Sequence, residues 1–385
     1  MDSRMNILFL SWNFPPVTGG IEYLVDNLFR GLVRNGHDVR MVTSRAEAPR
    51  EPRVFRAPAR GLPAYVAYSV LKGLSLGLRA RPDVILCGSL VSAPAGFVLS
   101  RLFRRPYAVI VYGSDVVHEG RLYQAAVRFL FSRAGRLLPI SAHTKSLIAE
   151  RGVDVSRADI VHPGVRTEAF AREPGRGAEA ILEAVQGRRV LVYVGRLVRR
   201  KGLLEFVERV MPGLASAHPE VMLVAVGEDA RASLIHGKES MRERILARVR
   251  ELGLEGHVRL VSHLPDQDLV RLYFHADLLV LPCLDIPGDV EGFGIVFSEA
   301  ALAGVPSVST HVGGVPDAIE DGATGVLAEP GDWDGMRRAV VNLLEHDELR
   351  RRMGEAAAAR ARRLFDWGVI VSKYEESLRR LAEGR

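Results

Sequence analysis

Residues 6–43 read NILFLSWNFPPVTGGIEYLVDNLFRGLVRNGHDVRMVT, and this stretch decides the fold. A short apolar strand, Asn6–Leu10, leads into the loop Ser11–Gly20, which ends in two glycines. Residues Ile21–Asn35 then show the periodicity of an amphipathic helix, and Val39–Thr43 has the composition of a second strand. The order strand, loop, helix, strand predicts a βαβ unit.

The loop of this first unit departs from the dinucleotide pattern GxGxxG, so the sequence gives weak support to a dinucleotide site. Gly19 and Gly20 stand directly before the helix, where glycine lets backbone N–H groups approach a ligand closely. A tight turn without a ligand explains the same two glycines, and the loop alone does not separate these alternatives.

Apolar strand-like segments and helix-like segments alternate along both halves of the chain. In the first half we predict further strands at Asp83–Cys87, Tyr107–Val111, Arg136–Ile140 and Asp159–Val161, with helices at Ala93–Phe103, Tyr123–Ser132 and Ala142–Arg151. In the second half we predict a sheet from Arg189–Val194, Val221–Val226, His257–Val261, Asp277–Leu281, Ser307–Thr310, Val315–Ile319 and Gly325–Leu327, and helices at Leu203–Ala217, Trp333–His346, Glu348–Arg363 and Asp366–Leu381. Such alternation predicts α/β domains with mostly parallel sheets and helices on both faces.

The length and the spread of charge constrain the class of protein. A chain of 385 residues is long enough for two domains, which we expect at 1–168, joined by the final helix at about 366–385, and at 169–365. Residues 1–170 contain 23 Lys and Arg against 13 Asp and Glu, a net charge of +10, and the rest carries −4. A basic half is compatible with nucleic acid, an anionic membrane surface or an acidic substrate. Because no nucleic-acid-binding motif is present, we expect no nucleic acid partner.

Cysteine usage and hydropathy indicate the compartment. Cys87 and Cys283 lie far apart and lack metal-ligand spacing, so a reducing cytoplasm is expected. No stretch approaches the roughly 20 apolar residues of a spanning helix. A second location remains open, on the inner face of the cell membrane, because Leu62–Ala80 is amphipathic and is surrounded by cations. The alternative is an ordinary helix that packs on the sheet, with solvated cations at Arg60, Lys72, Arg79, Arg81, Arg101, Arg104 and Arg105.

The segment 289–304, DVEGFGIVFSEAALAG, has the strongest chemical signal. We predict a loop that carries Glu291, a helix that starts near Gly294, and Glu299 in the second turn of that helix. A glycine-rich helix start favours an anion, whereas two flanking carboxylates favour hydroxyl groups. A ligand with both phosphate and hydroxyl groups, such as a nucleotide sugar, satisfies both demands. The alternative is a solvated loop charge at Glu291 and a dipole-stabilised glutamate at Glu299.

Two further loops follow predicted strands and contain polar groups. The loop 195–202, GRLVRRKG, places Arg196 and Lys201 near a helix start, where cations are unusual unless an anion such as a diphosphate is bound. The alternative is a pair of exposed loop charges. After strand 107–111, Asp115 can orient a hydroxyl or cap a helix, and His118 can reach the same cleft or lie at the surface.

Four motifs in order resemble the retaining family-4 glycosyltransferases of GT-B fold, along nearly the whole chain. They are the first loop with its helix, the GRLVRRKG loop, the Glu291–x7–Glu299 segment and the run GGVPDAIEDGATGVL at 313–327. The resemblance implies two Rossmann-like domains that face each other across a cleft, with a C-terminal helix that crosses back to the first domain.

Site residues follow from the resemblance by position. It implies that Arg196 and Lys201 hold the donor diphosphate, that Glu299 binds the ribose, and that Glu291 holds the donor sugar. The remaining donor-binding positions implied are Gly19, Gly20, Leu264, Pro265, Phe293, Gly294 and Ile295.

The chain departs from the family at Tyr112, where many members have a histidine that contacts the transferring sugar. Tyrosine donates a hydrogen bond but is a poor base, because its pKa is ordinarily about 10. Either Tyr112 makes this contact, or Asp115 or His118 takes it over.

The resemblance implies transfer of a hexose, with retention, from a nucleoside diphosphate sugar to a hydroxyl of a lipid-linked or glycan acceptor. The pattern GDVEGFGIVF is most similar to phosphatidylinositol-mannoside-type mannosyltransferases, which favours GDP-mannose. No Asp-x-Asp motif is present, so no cofactor and no obligatory metal is expected. The alternatives are a sugar-nucleotide epimerase, another GT-B enzyme, and a non-catalytic protein that binds a sugar nucleotide.

Overall fold

The computed structural model describes residues 4–17, 19–49, 51–175, 178–229 and 240–384. The chain divides into two compact units, one formed by residues 1–164 together with 367–385, and the other by residues 165–366. Each unit is a Rossmann-like α/β layer structure, which confirms the predicted fold class.

The first unit contains a six-stranded parallel sheet with strand order β3-β2-β1-β4-β5-β6. Its strands are β1 (Asn6–Ser11), β2 (Asp38–Thr43), β3 (Val54–Arg56), β4 (Val84–Cys87), β5 (Tyr107–Val111) and β6 (Arg136–Pro139). The helices between them are α1 (Gly20–Arg34), α2 (Leu62–Arg79), α3 (Ala93–Phe103), α4 (Ser114–Val117), α5 (Arg121–Arg133) and α6 (Ala142–Glu150).

The second unit contains another six-stranded parallel sheet, with strand order β12-β11-β10-β7-β8-β9. Its strands are β7 (Arg189–Val194), β8 (Val221–Val226), β9 (Val258–Val261), β10 (Leu278–Leu281), β11 (Ser307–Thr310) and β12 (Gly325–Ala328). Its helices are α7 (Glu179–Val185), α8 (Leu203–Arg209), α9 (Met211–Ala217), α10 (Met241–Glu251), α11 (Asp266–Phe274), α12 (Ile295–Leu302), α13 (Val315–Ala318), α14 (Trp333–Glu345) and α15 (Asp347–Phe365).

In both sheets the chain first adds strands on one side of the unit's first strand and then adds strands on its other side. In the first unit the chain adds β2 and β3 on one side of β1 and then returns to place β4 on the other side. In the second unit β8 and β9 lie on one side of β7, and β10 lies on the other. Loops diverge at such a switch point, and the crevice between them is where open α/β sheets bind ligands. The switch points therefore direct attention to the loops after β1, β4, β7 and β10.

The last helix, α16 (Trp367–Ala382), belongs to the first unit and packs against α1. The absence of a side chain at Gly31 makes room for Val371, since a Cβ at Gly31 would collide with it. The buried ring of His37 accepts a hydrogen bond from the Met5 N–H at 3.0 Å through Nδ1, and its Nε2 lies 3.0 Å from the Glu375 carboxylate. The buried imidazole thus links α16 to the start of β1.

Three predicted elements differ from the structure. The helix predicted at Leu203–Ala217 is broken at Val210, because Pro212 lacks the N–H that a continuous helix needs and instead starts α9. Residues Val315–Ile319 form a helical turn, not a strand, since Pro316 occupies a position in the first turn of α13. Residues Asp159–Val161 form no regular strand: Ala158 makes a single bridge to Leu137.

Candidate active site

The loop that joins β7 to α8 is shaped by two glycines with positive φ. Gly195 has a φ of 151°, and a Cβ there would lie 2.9 Å from the Nζ of Lys201, so the ammonium group rests against bare backbone. Gly202 has a φ of 65°, and a Cβ there would overlap the carbonyl oxygen of Pro282, directly after β10. Glycine therefore permits the loops after β7 and β10 to touch at the switch point.

Lys201 and Glu291 meet where these two loops converge. The Nζ of Lys201 lies 3.5 Å from the Oε2 of Glu291, and both side chains are buried. Arg200 faces the same oxygen at 3.6 Å, and its Nε lies 3.4 Å from the carboxylate of Asp289. The Arg200 Nε also donates a hydrogen bond to the carbonyl of Val290 at 3.3 Å, which fixes the guanidinium along the segment that carries Glu291.

The electrostatics of this cluster keep Glu291 ionised. Burial alone would raise the pKa of Glu291, but the nearby charges of Lys201 and Arg200 outweigh burial and hold that pKa below its usual value. Oε2 of Glu291 has no well-formed hydrogen bond in the described part of the chain, and its nearest cations are Lys201 at 3.5 Å and Arg200 at 3.6 Å. A buried carboxylate with remaining acceptor capacity suits the hydroxyl groups of a sugar.

The loop after β11 supports Glu291 from behind. Gly314 donates its N–H to the carbonyl of Glu291 at 2.9 Å, and Gly313 has a φ of 57°. A Cβ at Gly313 would collide with that same carbonyl oxygen. The two glycines of the GGVPDAI motif therefore position the backbone of Glu291.

Helix α12 begins directly after this cluster. Gly294 forms its N-terminal cap with a φ of 82°, and the first N–H groups of the helix have no acceptor within the helix. Phe293 is buried, with its ring 5.2 Å from the ring of Phe365, and this packing anchors the helix start. The positive end of α12 at Gly294 and Ile295 is available to an anion.

Glu299 lies in the second turn of α12, as predicted, and is half-buried. The hydroxyl of Tyr273, on α11, donates a hydrogen bond to its Oε2 at 3.2 Å. Burial raises the pKa of Glu299, and the bond from Tyr273 opposes that rise only in part. Leu264 is half-buried and Pro265 is exposed at the start of α11, so both belong to the element that supports Glu299.

Arg196 and Arg199 add further positive charge to this loop, and Arg196 contributes to lowering the pKa of Glu291. Both side chains are exposed, and neither forms an ion pair with any residue that the structure describes. Lys201 and Arg200, in contrast, are matched by Glu291 and Asp289. The loop therefore has an excess of positive charge, which complements an anion such as a diphosphate.

In the first unit, Tyr112 and Asp115 form a buried pair after β5. The Oδ2 of Asp115 accepts a hydrogen bond from the N–H of Tyr112 at 3.3 Å, and Gly113, not Asp115, caps α4. Burial raises the pKa of Asp115 to about 6, and bonds from the backbone of Tyr112 and Leu90 limit the rise. Burial raises the pKa of Tyr112 well above its usual value, and its hydroxyl has no hydrogen-bond partner among the described residues.

His118 stands apart from this pair. Its side chain is exposed, its ring lies 4.8 Å from the ring of Tyr123, and its Nδ1 accepts a hydrogen bond from the N–H of Gly120 at 3.2 Å. Nε2 is therefore the nitrogen left to exchange a proton with a ligand. In the described part of the chain, no hydrogen bond joins His118 to Tyr112 or Asp115.

The two glycines before α1 differ in their surroundings. A Cβ at Gly19 would collide with the carboxylate of Glu22, whose Oε1 accepts a hydrogen bond from Asn13 at 2.6 Å. A Cβ at Gly20 would meet no described atom within 4 Å. Packing in the first unit therefore explains why residue 19 is a glycine, but it does not explain the glycine at position 20.

The described residues contain no group of three or more His, Cys, Asp or Glu side chains that could hold a metal ion. In the same residues, every helix is too short or too polar to cross a bilayer.

Two family models match the chain in tandem. The glycosyl transferase 4-like domain matches residues 19–164, in the first unit, and glycosyl transferases group 1 matches residues 178–360, in the second. The chain belongs to the family-4 glycosyltransferases of GT-B type. The boundaries of the two family models follow the division between the two units. Membership of this family makes the protein a glycosyltransferase.

Individual members of the glycosyltransferase family resemble the chain over almost its full length. Glycogen synthase of Mycobacterium tuberculosis is 28% identical, over 96% of this chain and 93% of that protein. The GDP-mannose-dependent alpha-(1-6)-phosphatidylinositol monomannoside mannosyltransferase of Mycolicibacterium smegmatis is also 28% identical, over 98% and 100%. The crystal structure of Anabaena HepE in complex with UDP and glucose shares the fold, with a TM-score of 0.79 and 21% identity over 97% and 99% of the two chains.

Three groups in the glycosyltransferase site escaped the sequence prediction. Arg200 precedes Lys201 in the loop, but the sequence does not show which of Arg199, Arg200 and Lys201 faces Glu291. Tyr273 carries no motif, and its bond to Glu299 depends on the packing of α11 against α12. Gly313 belongs to a matched motif, yet its contact with the Glu291 carbonyl requires the strand order of the sheet.

Proposed function

We propose that this glycosyltransferase moves a hexose from a nucleoside diphosphate sugar to an acceptor hydroxyl, with retention of configuration at the anomeric carbon. One observation carries the proposal: Lys201 and Arg200 face the buried carboxylate of Glu291 at the switch point of the second sheet, in a loop whose Arg196 forms no ion pair with a described residue. Cations and a sugar-binding carboxylate in one crevice match a ligand that joins a diphosphate to a hexose.

The donor is held in parts by this site. Arg196, Lys201 and the N-terminus of α12 at Gly294 and Ile295 bind the diphosphate. Gly19 and Gly20, in the first unit, stay predicted backbone contacts of the donor. Glu291 accepts hydrogen bonds from hydroxyls of the hexose. Glu299 binds the ribose, and Leu264 and Pro265 lie against the base. The backbone of Phe293 contacts the donor.

The reaction then rests on charge stabilisation and positioning. The bond between the anomeric carbon and the diphosphate oxygen breaks, and the acceptor oxygen forms its bond on the same face of the sugar. The acceptor proton passes to the departing phosphate oxygen. Arg196, Arg200 and Lys201 stabilise the negative charge that develops there. Tyr112 supplies the contact to the transferring sugar, with Asp115 and His118 as the alternatives.

GDP-mannose is the proposed donor, and a hydroxyl of a lipid-linked or glycan acceptor is the proposed target. Support comes from the pattern GDVEGFGIVF and from the similarity to the phosphatidylinositol monomannoside mannosyltransferase. Glycogen synthase has the same 28% sequence identity to this chain as the mannosyltransferase, so the test must compare several donors. A lipid-linked acceptor would bring the enzyme to an anionic membrane surface.

The test is a thermal-shift comparison of GDP-mannose, UDP-glucose, UDP-galactose and ADP-glucose, followed by transfer from the best donor. We expect GDP-mannose to raise the Tm most, and NMR of the product to show the anomeric configuration of the donor. A larger shift with another nucleotide would overturn the donor but not the class. An inverted product would overturn retention, and an altered free sugar formed without an acceptor would identify an epimerase.

A further inference from the structure

Three neighbouring helices of the first unit, α2, α3 and α5, contain no Asp or Glu. They pack side by side, α2 against α3 and α3 against α5. We call their outer surface the basic apolar face. Its cations on the helices and the following turns are Lys72, Arg79, Arg81, Arg101, Arg104, Arg105, Arg121, Arg128 and Arg133.

The same face has exposed apolar side chains. Of the eight large apolar residues that are exposed in the described part of the chain, seven lie on these three helices. Leu71 and Leu78 on α2 are 69% and 75% exposed and stand two turns apart on one side of the helix. An ordinary surface helix places polar side chains there. The other five are Leu62, Val98, Leu102, Leu122 and Phe129.

A pocket of arginines opens in this face where α3 and α5 end. Its volume is about 520 Å³, and Arg101, Arg104, Arg105 and Arg133 line it without any carboxylate. None of the four forms an ion pair with a described residue. An uncompensated cluster of this kind repels itself, and a bound anion relieves the repulsion.

The arginines of the pocket are oriented by aromatic rings. The guanidinium carbon of Arg133 lies 3.8 Å from the ring centre of Phe129, and that of Arg101 lies 5.4 Å from the ring centre of Phe97. The Nε of Arg105 is buried without a hydrogen-bond partner in the described residues. Planar guanidinium groups held in this way suit a phosphate, which they bind through paired hydrogen bonds.

The pocket is separate from the loops predicted to bind substrate. It lies where α3 ends and β5 begins, at the amino edge of the first sheet. Tyr112 and Gly20 follow the carboxyl ends of β5 and β1, at the opposite edge of that sheet. An occupant of the pocket would therefore leave those loops free.

We propose that the basic apolar face docks on an anionic phospholipid bilayer, with a lipid phosphate in the arginine pocket and the exposed leucines inserted among the headgroups. Cations next to exposed apolar side chains fit a membrane surface, where each group has its own partner. A nucleic acid would use the cations but would leave Leu71 and Leu78 in water. The inference deepens the proposed lipid-linked acceptor, and binding alone tests it, without sugar transfer.

The experiment is co-sedimentation of the full chain with vesicles of phosphatidylcholine alone and of phosphatidylcholine with 30% phosphatidylglycerol. We expect retention on the anionic vesicles only, reduced by salt. The double variant Arg101→Gln/Arg133→Gln should partition about 25-fold more weakly, since each cation near such a surface contributes about fivefold. The variant Leu71→Ser/Leu78→Ser should lose the part of the binding that resists salt.

Two matched controls separate docking from folding and from total charge. The variant Arg101→Lys/Arg133→Lys keeps the charge but lacks the planar guanidinium groups, so its binding should lie between that of the wild type and that of Arg101→Gln/Arg133→Gln. The variant Arg338→Gln/Arg352→Gln removes the same charge from exposed sites in the second unit and should have no effect. Equal binding to both vesicle types, or equal loss in Arg338→Gln/Arg352→Gln, would overturn the proposal. So would tighter binding to single-stranded RNA than to the anionic vesicles at the same salt concentration. GDP-mannose turnover that fails while vesicle binding persists would count against the proposed function alone.

Discussion

The ammonium group of Lys201 lies 3.5 Å from the Oε2 of Glu291, although 90 residues of chain separate the two. The strands that precede them, β7 and β10, are neighbours because β8 and β9 lie on one side of β7 and β10 lies on the other. The pair thus joins the proposed diphosphate contact to the proposed hexose contact, and the charge of Lys201 lowers the pKa of Glu291.

Replacement of Lys201 by Ala should weaken binding of a nucleoside diphosphate sugar by about 2 kcal/mol, the size of a lost charge-assisted contact. Titration calorimetry with the diphosphate and with the intact donor measures it. Arg259→Ala, at an exposed position on β9, is the control and should bind as the wild type does. Unchanged affinity in the Lys201 variant would remove this residue from the donor site.

Lys201→Met should also change how stability depends on pH. In the wild type the pKa of Glu291 is lowered on folding, so the ion pair stabilises the fold above the unfolded pKa of about 4.3. That contribution is lost as pH falls through the lower folded pKa. In the variant, Glu291 stays buried with Arg200 as its remaining cation, and we expect a loss of up to about 3 kcal/mol at pH 7 that shrinks toward pH 4. Urea unfolding at both pH values tests this, and a pH-independent loss would contradict it.

Gly313→Ala should reduce both stability and donor affinity, because a Cβ there collides with the carbonyl oxygen of Glu291. Gly322→Ala is a matched control: Gly322 also has a positive φ, of 72°, but a Cβ would meet no described atom within 4 Å. The control should cost only the backbone strain of about 1 kcal/mol and leave donor affinity intact. Equal effects of the two variants would show that Gly313 does not position Glu291.

Tyr112→Phe separates a structural hydroxyl from a functional one. The Tyr112 hydroxyl is buried without a partner in the described residues, so its removal should leave stability unchanged or raise it by about 1 kcal/mol. The hydroxyl of Tyr374 on α16 is also buried and unpartnered among them, which makes Tyr374→Phe the control. If Tyr112 contacts the transferring sugar, kcat/KM should fall at least tenfold in the first variant alone. Parallel activities in the two variants would leave that role to Asp115 or His118.

Asp115→Asn should remove a pH dependence from the first unit. Burial raises the pKa of Asp115 to about 6, above its unfolded value, so the folded state binds the extra proton between about pH 4 and pH 6. The wild type should therefore gain stability as pH falls through that range, by about 2 kcal/mol. The variant keeps an oxygen to accept the Tyr112 N–H and should show no such gain in denaturant unfolding. A gain that persists in Asp115→Asn would assign the titration to another group.

The fold was predictable because both halves repeat the same apolar strand and amphipathic helix periods. Of the seven strands predicted in the second half, three have the predicted bounds and three differ by one residue at an end. The seventh, Val315–Ile319, has strand composition, but Pro316 starts a helical turn there. The position of Glu299 in the second turn of α12 was also predictable, since Gly294 marks the helix start.

The internal contacts of the site were not predictable from the letters. Lys201 and Glu291 belong to separate motifs, and their contact depends on which strands are neighbours. Arg200 and Tyr273 have no distinguishing spacing, and their roles as partners of Glu291 and Glu299 come from packing. Tyr112 shows the converse: the departure from the family histidine is visible in the sequence, whereas the burial of its hydroxyl is not.

The second unit is one continuous stretch of chain, whereas the first is completed only by α16. During synthesis on a ribosome, residues 165–366 have therefore all emerged before the helix that covers α1 exists. Until then the groove at Gly31, which Val371 later fills, and the imidazole of His37, which later meets Glu375, face solvent. The nascent first unit thus carries an open apolar seam for the time needed to make some two hundred residues.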